Sequence, residues 1–322
     1  MRYLNVTGTD PYENLALEEY LLRNGPKEEE LFLLWQNMDT VVIGRYQNTT
    51  EEVDTVYAGN EKIKLVRRKT GGGAVYHDLG NVNFSFISPC VDPGGLDFAS
   101  FSARMVEALR TMGINAQVNG RNDLTVDGRK FSGSAQTVLD GRVLHHSTLL
   151  FSTDLERMER VLTVSQEKLY TKGVSSVRSR VTNLCEHTPL DIHAFRAGLL
   201  SYFGGEKLVL TCEQVREVRV LRETYADSQW IYGRSPGYSV RKGRRFPDGR
   251  VDALLNVEKG NLIRDVVFQG DFFGSGEIGE LERRLTGAQM TEDGLRSALT
   301  DLDVQWYIAG VDTEMLIALI LA

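Results

Sequence analysis

The sequence predicts an α+β fold in two parts, a large mixed-sheet domain over residues 1–246 and a small α+β domain over 247–322. Three observations carry that expectation. Strand-like runs and capped helices share the first 246 residues. Two Asp-Gly turns there join strand-like segments into an antiparallel meander. Beyond 246 a fresh hairpin pattern begins and the charge balance breaks. Residues 247–322 hold 6 Lys/Arg and 14 Asp/Glu, leaving 31 and 30 to residues 1–246 of a chain whose net charge is −7. A length of 322 residues suffices for one large domain or two ordinary ones.

The elements follow in order. "DPYENLALEEYLL" opens a helix, with Asp10 at the N-cap, Pro11 at the first helical position and Glu13 at the capping-box position. "LFLLW" (31–35), "TVVIG" (40–44) and "KIKLVRR" (62–68) read as buried strands. "AVYH" and "NVNFSFI" (81–87) continue the sheet. In the latter Phe84 and Phe86 take one face, while Asn83 and Ser85 give the other the polarity of a pocket-lining strand. "DFASFSARMVEALRTMG" (97–113) is an amphipathic helix with Phe98, Phe101, Met105, Leu109 and Met112 as its core stripe and Gly113 as its stop. Asp127-Gly128 and Asp140-Gly141 then turn a three-stranded meander that ends in "RVLHHSTLLFS". Residues 154–203 read as mostly helical. "VDALLNVEKGNLIRDVVFQGDF" (251–272) is a hairpin turning at Lys259-Gly260-Asn261, and two or three short helices follow from about Glu277.

Composition narrows the function classes. Hydrophobic residues at 42% and charged residues at 25% are the balance of a globular protein. The net negative charge argues against nucleic-acid binding. No apolar run approaches the ~20 residues that span a bilayer. Glu13, Glu18 and Glu19 stand where a signal peptide requires an apolar stretch. Cys90, Cys185 and Cys212 are scattered and odd in number, so neither a disulfide framework nor a zinc spacing is expected, and a reducing cytoplasm is the expected location.

"RRKTGGGAVYHD" (67–78) sets three glycines between a basic cluster and a strand. Glycines allow close backbone approach, and bare N–H groups can bind phosphate oxygens, with arginines suited to assist. The run is neither a Walker A loop nor a dinucleotide fingerprint. By itself it reads equally well as a phosphate loop or a plain hairpin. In "GRNDLTVDGRKFSGSAQ" (120–136), Lys130 stands among small residues and could reach into a pocket as a point charge. A solvated lysine after a turn is the simpler reading. His145 and His146 face opposite sides of a strand, so they do not form a metal pair. Arg241, Lys242, Arg244 and Arg245 form a basic cluster that reads first as a solvated hairpin.

Taken together, "RRKTGGGAVYHDLGNVNFSFI", "GRNDLTVDGRKFSGSAQ", "HHSTLLF" (145–151) and "GVSSVRSRVTNL" (173–184) resemble the lipoate–protein ligase A family of the biotin/lipoate ligase superfamily. "VEKGNLIRDVVF" (257–268) resembles the small C-terminal domain of those ligases, so the likeness covers nearly the whole chain. It implies a class II synthetase-like mixed-sheet catalytic domain. It also implies activation of free lipoate with MgATP to lipoyl-adenylate, followed by transfer to one lysine of a lipoyl domain. The acceptors implied are E2 subunits of 2-oxoacid dehydrogenases and the glycine cleavage H protein, served by a monomer. By the family's motif, Arg68, Gly73, Ala74, Val75, Tyr76, Asn83 and Asp123 would meet ATP or the adenylate, with Asn83 and Asp123 ordering the nucleotide or Mg²⁺. Lys130 would bridge the lipoyl carboxyl and the α-phosphate. Thr70, Gly72 and His146 would face lipoate, with Val75 and Leu149 offering an apolar slot; Thr70 stands where relatives often carry serine.

Three rivals share the fold or the ligand. An octanoyl or lipoyl transferase needs a nucleophilic cysteine; none lies in the four motif blocks, although Cys185 directly follows "RVTNL". A biotin ligase would carry a different Arg/Gly-rich loop. A non-catalytic lipoate sensor would not need Lys130 and the complete glycine block.

Overall fold

The computed structural model describes residues 1–90, 96–163, 180–233 and 237–322. Its strands are β1 (Arg2–Asn5), β2 (Leu31–Trp35), β3 (Thr40–Ile43), β4 (Lys64–Arg67), β5 (Val75–His77), β6 (Asn81–Pro89) and β7 (Gln117–Asn119). They continue with β8 (Asp123–Val126), β9 (Arg129–Leu139), β10 (Arg142–Leu150), β11 (Glu206–Lys207), β12 (Val240–Phe246), β13 (Gly249–Glu258) and β14 (Leu262–Gly270). An eight-stranded sheet runs β11-β1-β2-β6-β10-β9-β8-β7, parallel at β11-β1-β2 and antiparallel beyond. Two three-stranded sheets accompany it, β4-β3-β5 and β12-β13-β14.

The large sheet is covered on both faces, which is why "LFLLW" is buried along its whole length. Phe32 and Leu34 pack with Phe84 and Phe86 under the helices Phe98–Thr111 and Ile192–Tyr202. Leu31, Leu33 and Trp35 pack on the other face with Leu15 and Leu21 of the helix Pro11–Asn24 and with Val218 and Tyr225 of the helix Cys212–Ala226. Each such apolar side chain contributes ~1.5–3 kcal/mol on leaving water. The meander forms as expected: Asp127 and Gly128, and again Asp140 and Gly141, have positive φ (49° and 76°, 50° and 73°). Two left-handed residues in sequence are what a two-residue hairpin loop requires.

Several expectations need correction. Asp10 precedes the helix, but its carboxylate makes no cap; it pairs with Lys64 (3.1 Å) and Arg222 (2.7 Å) instead. "AVYH" leaves the main sheet, and its β5 pairs with β3 in a separate small sheet. The helix Cys212–Ala226 has no counterpart in the sequence reading. Four short helices, not two or three, follow β14. A boundary at 246 would cut a hairpin, because β12 pairs with β13 in full register from Val240 to Phe246. The sheet of the small unit therefore reaches back to Val240. Of the motif 173–184, only 180–184 lie within the described residues.

Candidate active site

A row of paired residues crosses the large sheet. Asp123 on β8 pairs with Gly133 on β9. Gly133 donates its N–H to the Thr148 hydroxyl on β10 (3.3 Å), Thr148 pairs with Asn83 on β6, and Asn83 with Trp35 on β2. Residues paired across a sheet share a face, and each strand step is ~4.8 Å. The row forms the floor of a cavity of about 430 Å³. Roofing it are the end of β4, the glycine loop and β5.

At one end of the row lies Lys130. Its ammonium meets Asp123 Oδ1 at 2.6 Å and passes over Gly133, where a Cβ would stand 3.0 Å from Nζ. Glycine at 133 leaves room for the lysine. Asn122, Ser132 and Arg180 surround this end, and the small unit adds Arg245, Asp248, Asp271 and Phe273. The other end is lined by Leu15, Trp35, Val42, Val75 and His77. One end of the cavity is charged, and the other is apolar and aromatic.

The glycine loop is held from both sides. Arg68 is buried, and burial pulls its guanidinium down to about 10, opposed by the nearby Glu18 carboxylate, so it stays charged at neutral pH. It donates to the carbonyls of Val42 (3.2 Å), Gly71 (2.7 Å) and Gly73 (2.8 Å) and to the Thr70 hydroxyl (2.9 Å). On the outer side, Gly72 donates its N–H to the Phe272 carbonyl of the small unit (3.3 Å). A Cβ on Gly71 would meet that oxygen at 2.2 Å, and Gly72 itself has φ +88°. What comes close to the bare backbone here is therefore Phe272–Phe273.

Beneath the loop runs a buried hydrogen-bond chain. The Thr70 hydroxyl lies 2.8 Å from His146 Nε2, and His146 Nδ1 lies 3.1 Å from Glu18 Oε2. Ser85 also donates to Glu18, and Trp35 Nε1 donates to the Ser85 hydroxyl (2.8 Å). Arg68, Thr70, His146, Glu18, Ser85 and Trp35 thus tie loop to floor. In a low-dielectric site such a chain, fully paired, rigidifies its members.

Of the residues singled out in the sequence, Arg68, Gly72, Gly73, Ala74, Val75, Tyr76, Asn83, Asp123, Lys130 and His146 all border this one cavity. Thr70 sits behind it, bonded to Arg68 and His146. Leu149 does not border it; β10 alternates, so Leu149 enters the core while Leu150 faces the cavity. His145 lies among Phe84, Phe86, Phe98 and Phe101, on the face opposite His146. Sequence reasoning missed Trp35, His77, Glu18 and the contributions of the small unit. Glu18 left a trace, a glutamate inside the apolar run "LALEEYLL". No cysteine borders the cavity. Burial, reinforced by Glu186, pushes the Cys185 thiol up, the opposite of an activated nucleophile.

The chain is 38% identical over 318 residues to lipoate–protein ligase 1 of Staphylococcus aureus, covering 97% of each chain. It is 37% identical over 321 residues to lipoate-protein ligase LplJ of Bacillus subtilis, again covering 97% of each. Its fold is that of P. falciparum LipL1, solved with lipoate, at a TM-score of 0.76 over 94% of each chain and 22% identity. A lipoate-protein ligase A bound with ATP superposes on 72% of this chain and 98% of its own, at a TM-score of 0.63 and 28% identity. Residues 10–204 match the lipoyl protein ligase A/B catalytic domain, and residues 235–320 match the bacterial lipoate protein ligase C-terminus. The chain belongs to the lipoyl protein ligase A/B family.

Proposed function

We propose that this protein activates free lipoate with ATP and passes the lipoyl group to a lysine of a lipoyl-domain acceptor. The observation that carries the reading is the spacing along the cavity floor. From Lys130, over Gly133, to Asn83 is two strand steps, ~10 Å. Five carbon–carbon bonds of ~1.5 Å, each advancing roughly 1.3 Å, separate the lipoate carboxyl from its dithiolane ring. That chain advances ~6.5 Å and the hydrogen bond between the carboxylate and Lys130 adds ~3 Å, so with the carboxylate at Lys130 the ring begins near Asn83, beside His77.

Attack of a carboxylate on the α-phosphorus brings two anions together. Lys130 neutralises both and holds them in line, with Asn122, Ser132 and Arg180 adding polar groups around them. Gly73, Ala74 and Tyr76 border the space left for the nucleotide. Arg68 acts at one remove, fixing the loop carbonyls. Among the described residues no group of three His, Cys, Asp or Glu gathers for a metal. Mg²⁺ fits nonetheless as an ion carried by the nucleotide phosphates, since such ions take only one or two protein carboxylates, and Asp123 is the candidate. Bound there it would neutralise phosphate charge. For the second step the adenylate is a good leaving group, so alignment and desolvation of the acceptor amine serve in place of a general base.

Lipoate-dependent exchange of pyrophosphate into ATP tests the reading, with biotin as control. Exchange with lipoate and none with biotin is the expected result. No exchange from folded protein would favour a transferase or a sensor. E2 subunits of 2-oxoacid dehydrogenases and the glycine cleavage H protein are the acceptors to assay. A lipoyl domain accompanies the bipartite ligase solved from Thermoplasma acidophilum, 30% identical to this chain.

A further inference from the structure

Among the described residues, the apolar end of the cavity holds one buried polar atom without a hydrogen-bond partner. His77 is 2% exposed, borders the cavity, and its Nε2 has no hydrogen-bond partner among the described residues. A buried donor left unpaired is costly, and here it belongs to a side chain that lines a cavity, so a ligand in that cavity is its natural partner.

The proton's position follows from the neighbours. Asn14 lies within 3.2 Å of the Gly8 carbonyl and 2.9 Å of the Gln36 carbonyl, so the atom it presents is its NH₂. That NH₂ also meets Asn37 Oδ1 at 2.9 Å, which turns the Asn37 NH₂ toward His77 Nδ1 (3.1 Å). The Asn83 NH₂ stands 3.5 Å from the same nitrogen, with Asn83 Oδ1 accepting from Asn81. Two amide donors face Nδ1, so Nδ1 is the acceptor and Nε2 carries the hydrogen. Burial, with Arg68 and His146 adding repulsion, pulls the imidazole down to about 3, so the ring is neutral throughout the physiological range.

We infer that His77 is a specificity-determining residue whose Nε2–H donates to a sulfur of the dithiolane, selecting lipoate over a plain eight-carbon acid. The inference rests on the ligase reading and deepens it. The Trp35 ring meets the His77 ring edge-on with centroids 6.1 Å apart, so the slot is aromatic as well, a surrounding that suits a polarizable sulfur. A neutral donor matches a weak, uncharged acceptor without demanding a counter-ion. Octanoate has the same reach and no acceptor there, so it leaves Nε2–H unpaired. A site built around a hydrogen bond discriminates in this way against the analogue that lacks the partner.

The test compares kcat/KM for adenylate formation with lipoate and with octanoate. The wild-type ratio should favour lipoate and fall about fivefold in His77→Phe, the worth of one modest hydrogen bond. In His77→Gln, whose amide can place a donor near the position of Nε2, the ratio should hold. An unchanged ratio in His77→Phe, or equal loss of both acids in both variants, overturns the assignment. As a second readout, ¹⁵N-labelled imidazole NMR of the wild type should show the His77 Nε2–H signal shift with lipoate and not with octanoate. The same shift with both acids counts against it. Wild-type protein that activates neither acid would instead sink the ligase reading itself.

Discussion

Lys130 is positioned by two neighbours, a carboxylate that draws its ammonium and a glycine that makes room for it. Lys130→Ala should lower lipoate-dependent exchange by ~10²–10³-fold, the loss seen when a donor to transition-state charge is removed. Stability should change by less than ~1 kcal/mol, because the Lys130–Asp123 pair keeps 32% and 21% of its side-chain surface in solvent. Exchange kinetics beside thermal melting check both halves. The two neutral histidines make a different prediction. His77 and His145 are buried and held at about 3, against an ordinary value near 6.5. Their folded pKa is depressed, so the unfolded chain binds more protons below ~6.5, and stability falls as pH drops through the window from ~6.5 toward 3. From pH 7 to pH 5 each should cost about 2 kcal/mol. His145 touches Phe rings and Gln136 rather than the cavity, so His145→Phe should remove about half of this slope in denaturant titrations at the two pH values.

The glycine loop separates what was legible in the sequence from what was not. Its three glycines and flanking basic residues were visible, as was the meander that sets Lys130, because Asp-Gly turns and alternating strands are local signals. The partner of the loop was not. Phe272 and Phe273 arrive from two hundred residues away, and no local pattern announces that a distant carbonyl will accept the Gly72 N–H. Arg68 was legible as a cation near phosphate, yet its hydrogen bonds go to the Thr70 hydroxyl and the Gly71 and Gly73 carbonyls of its own loop and to the Val42 carbonyl of β3. Gly71 and Gly73 should therefore respond differently to a methyl group. In Gly71→Ala the Cβ meets backbone of the small unit, so hydrogen exchange at Phe272–Phe273 should rise and adenylation should fall more than tenfold, since an ångström of misplacement costs about that much or more. In Gly73→Ala the Cβ meets nothing within 4 Å, so the melting temperature should hold while the Michaelis constants rise. Equal destabilisation of the two variants would contradict this division.

Across the whole molecule, the small unit is a wall of the cavity as well as an appendage. Arg121 pairs with Asp248 (2.6 Å), Tyr46 stacks on Phe272 at 4.5 Å, and Gly270 donates to the Tyr46 carbonyl. The acidic charge of residues 247–322 marked a second unit, but β12 carries that unit back into the basic cluster, and this changes which cations are available to a partner. Arg241 is taken up by Glu51 and Asp252, and Arg245 by Asp271. Among the described residues Lys242 and Arg244 have no carboxylate partner, and Arg244 lies over the Phe246 ring. The two stand on an edge strand of the sheet whose other end borders the active cavity. Complementary charge speeds encounter more than it tightens binding. An acidic acceptor domain docking on β12 should thus meet Lys242 and Arg244 rather than all four cations. Reversing both to glutamate should slow lipoyl transfer several-fold at low salt, with the deficit shrinking as ionic strength shortens the Debye length. Pyrophosphate exchange should be unaffected, because neither side chain borders the cavity. The corresponding reversal at Arg241 would leave the buried Asp252 carboxylate without that partner and lower stability instead. Transfer assays at two salt concentrations, set beside exchange and melting, separate these outcomes. Transfer that is unaltered in the Lys242→Glu/Arg244→Glu double variant would move the acceptor's docking site elsewhere on the molecule.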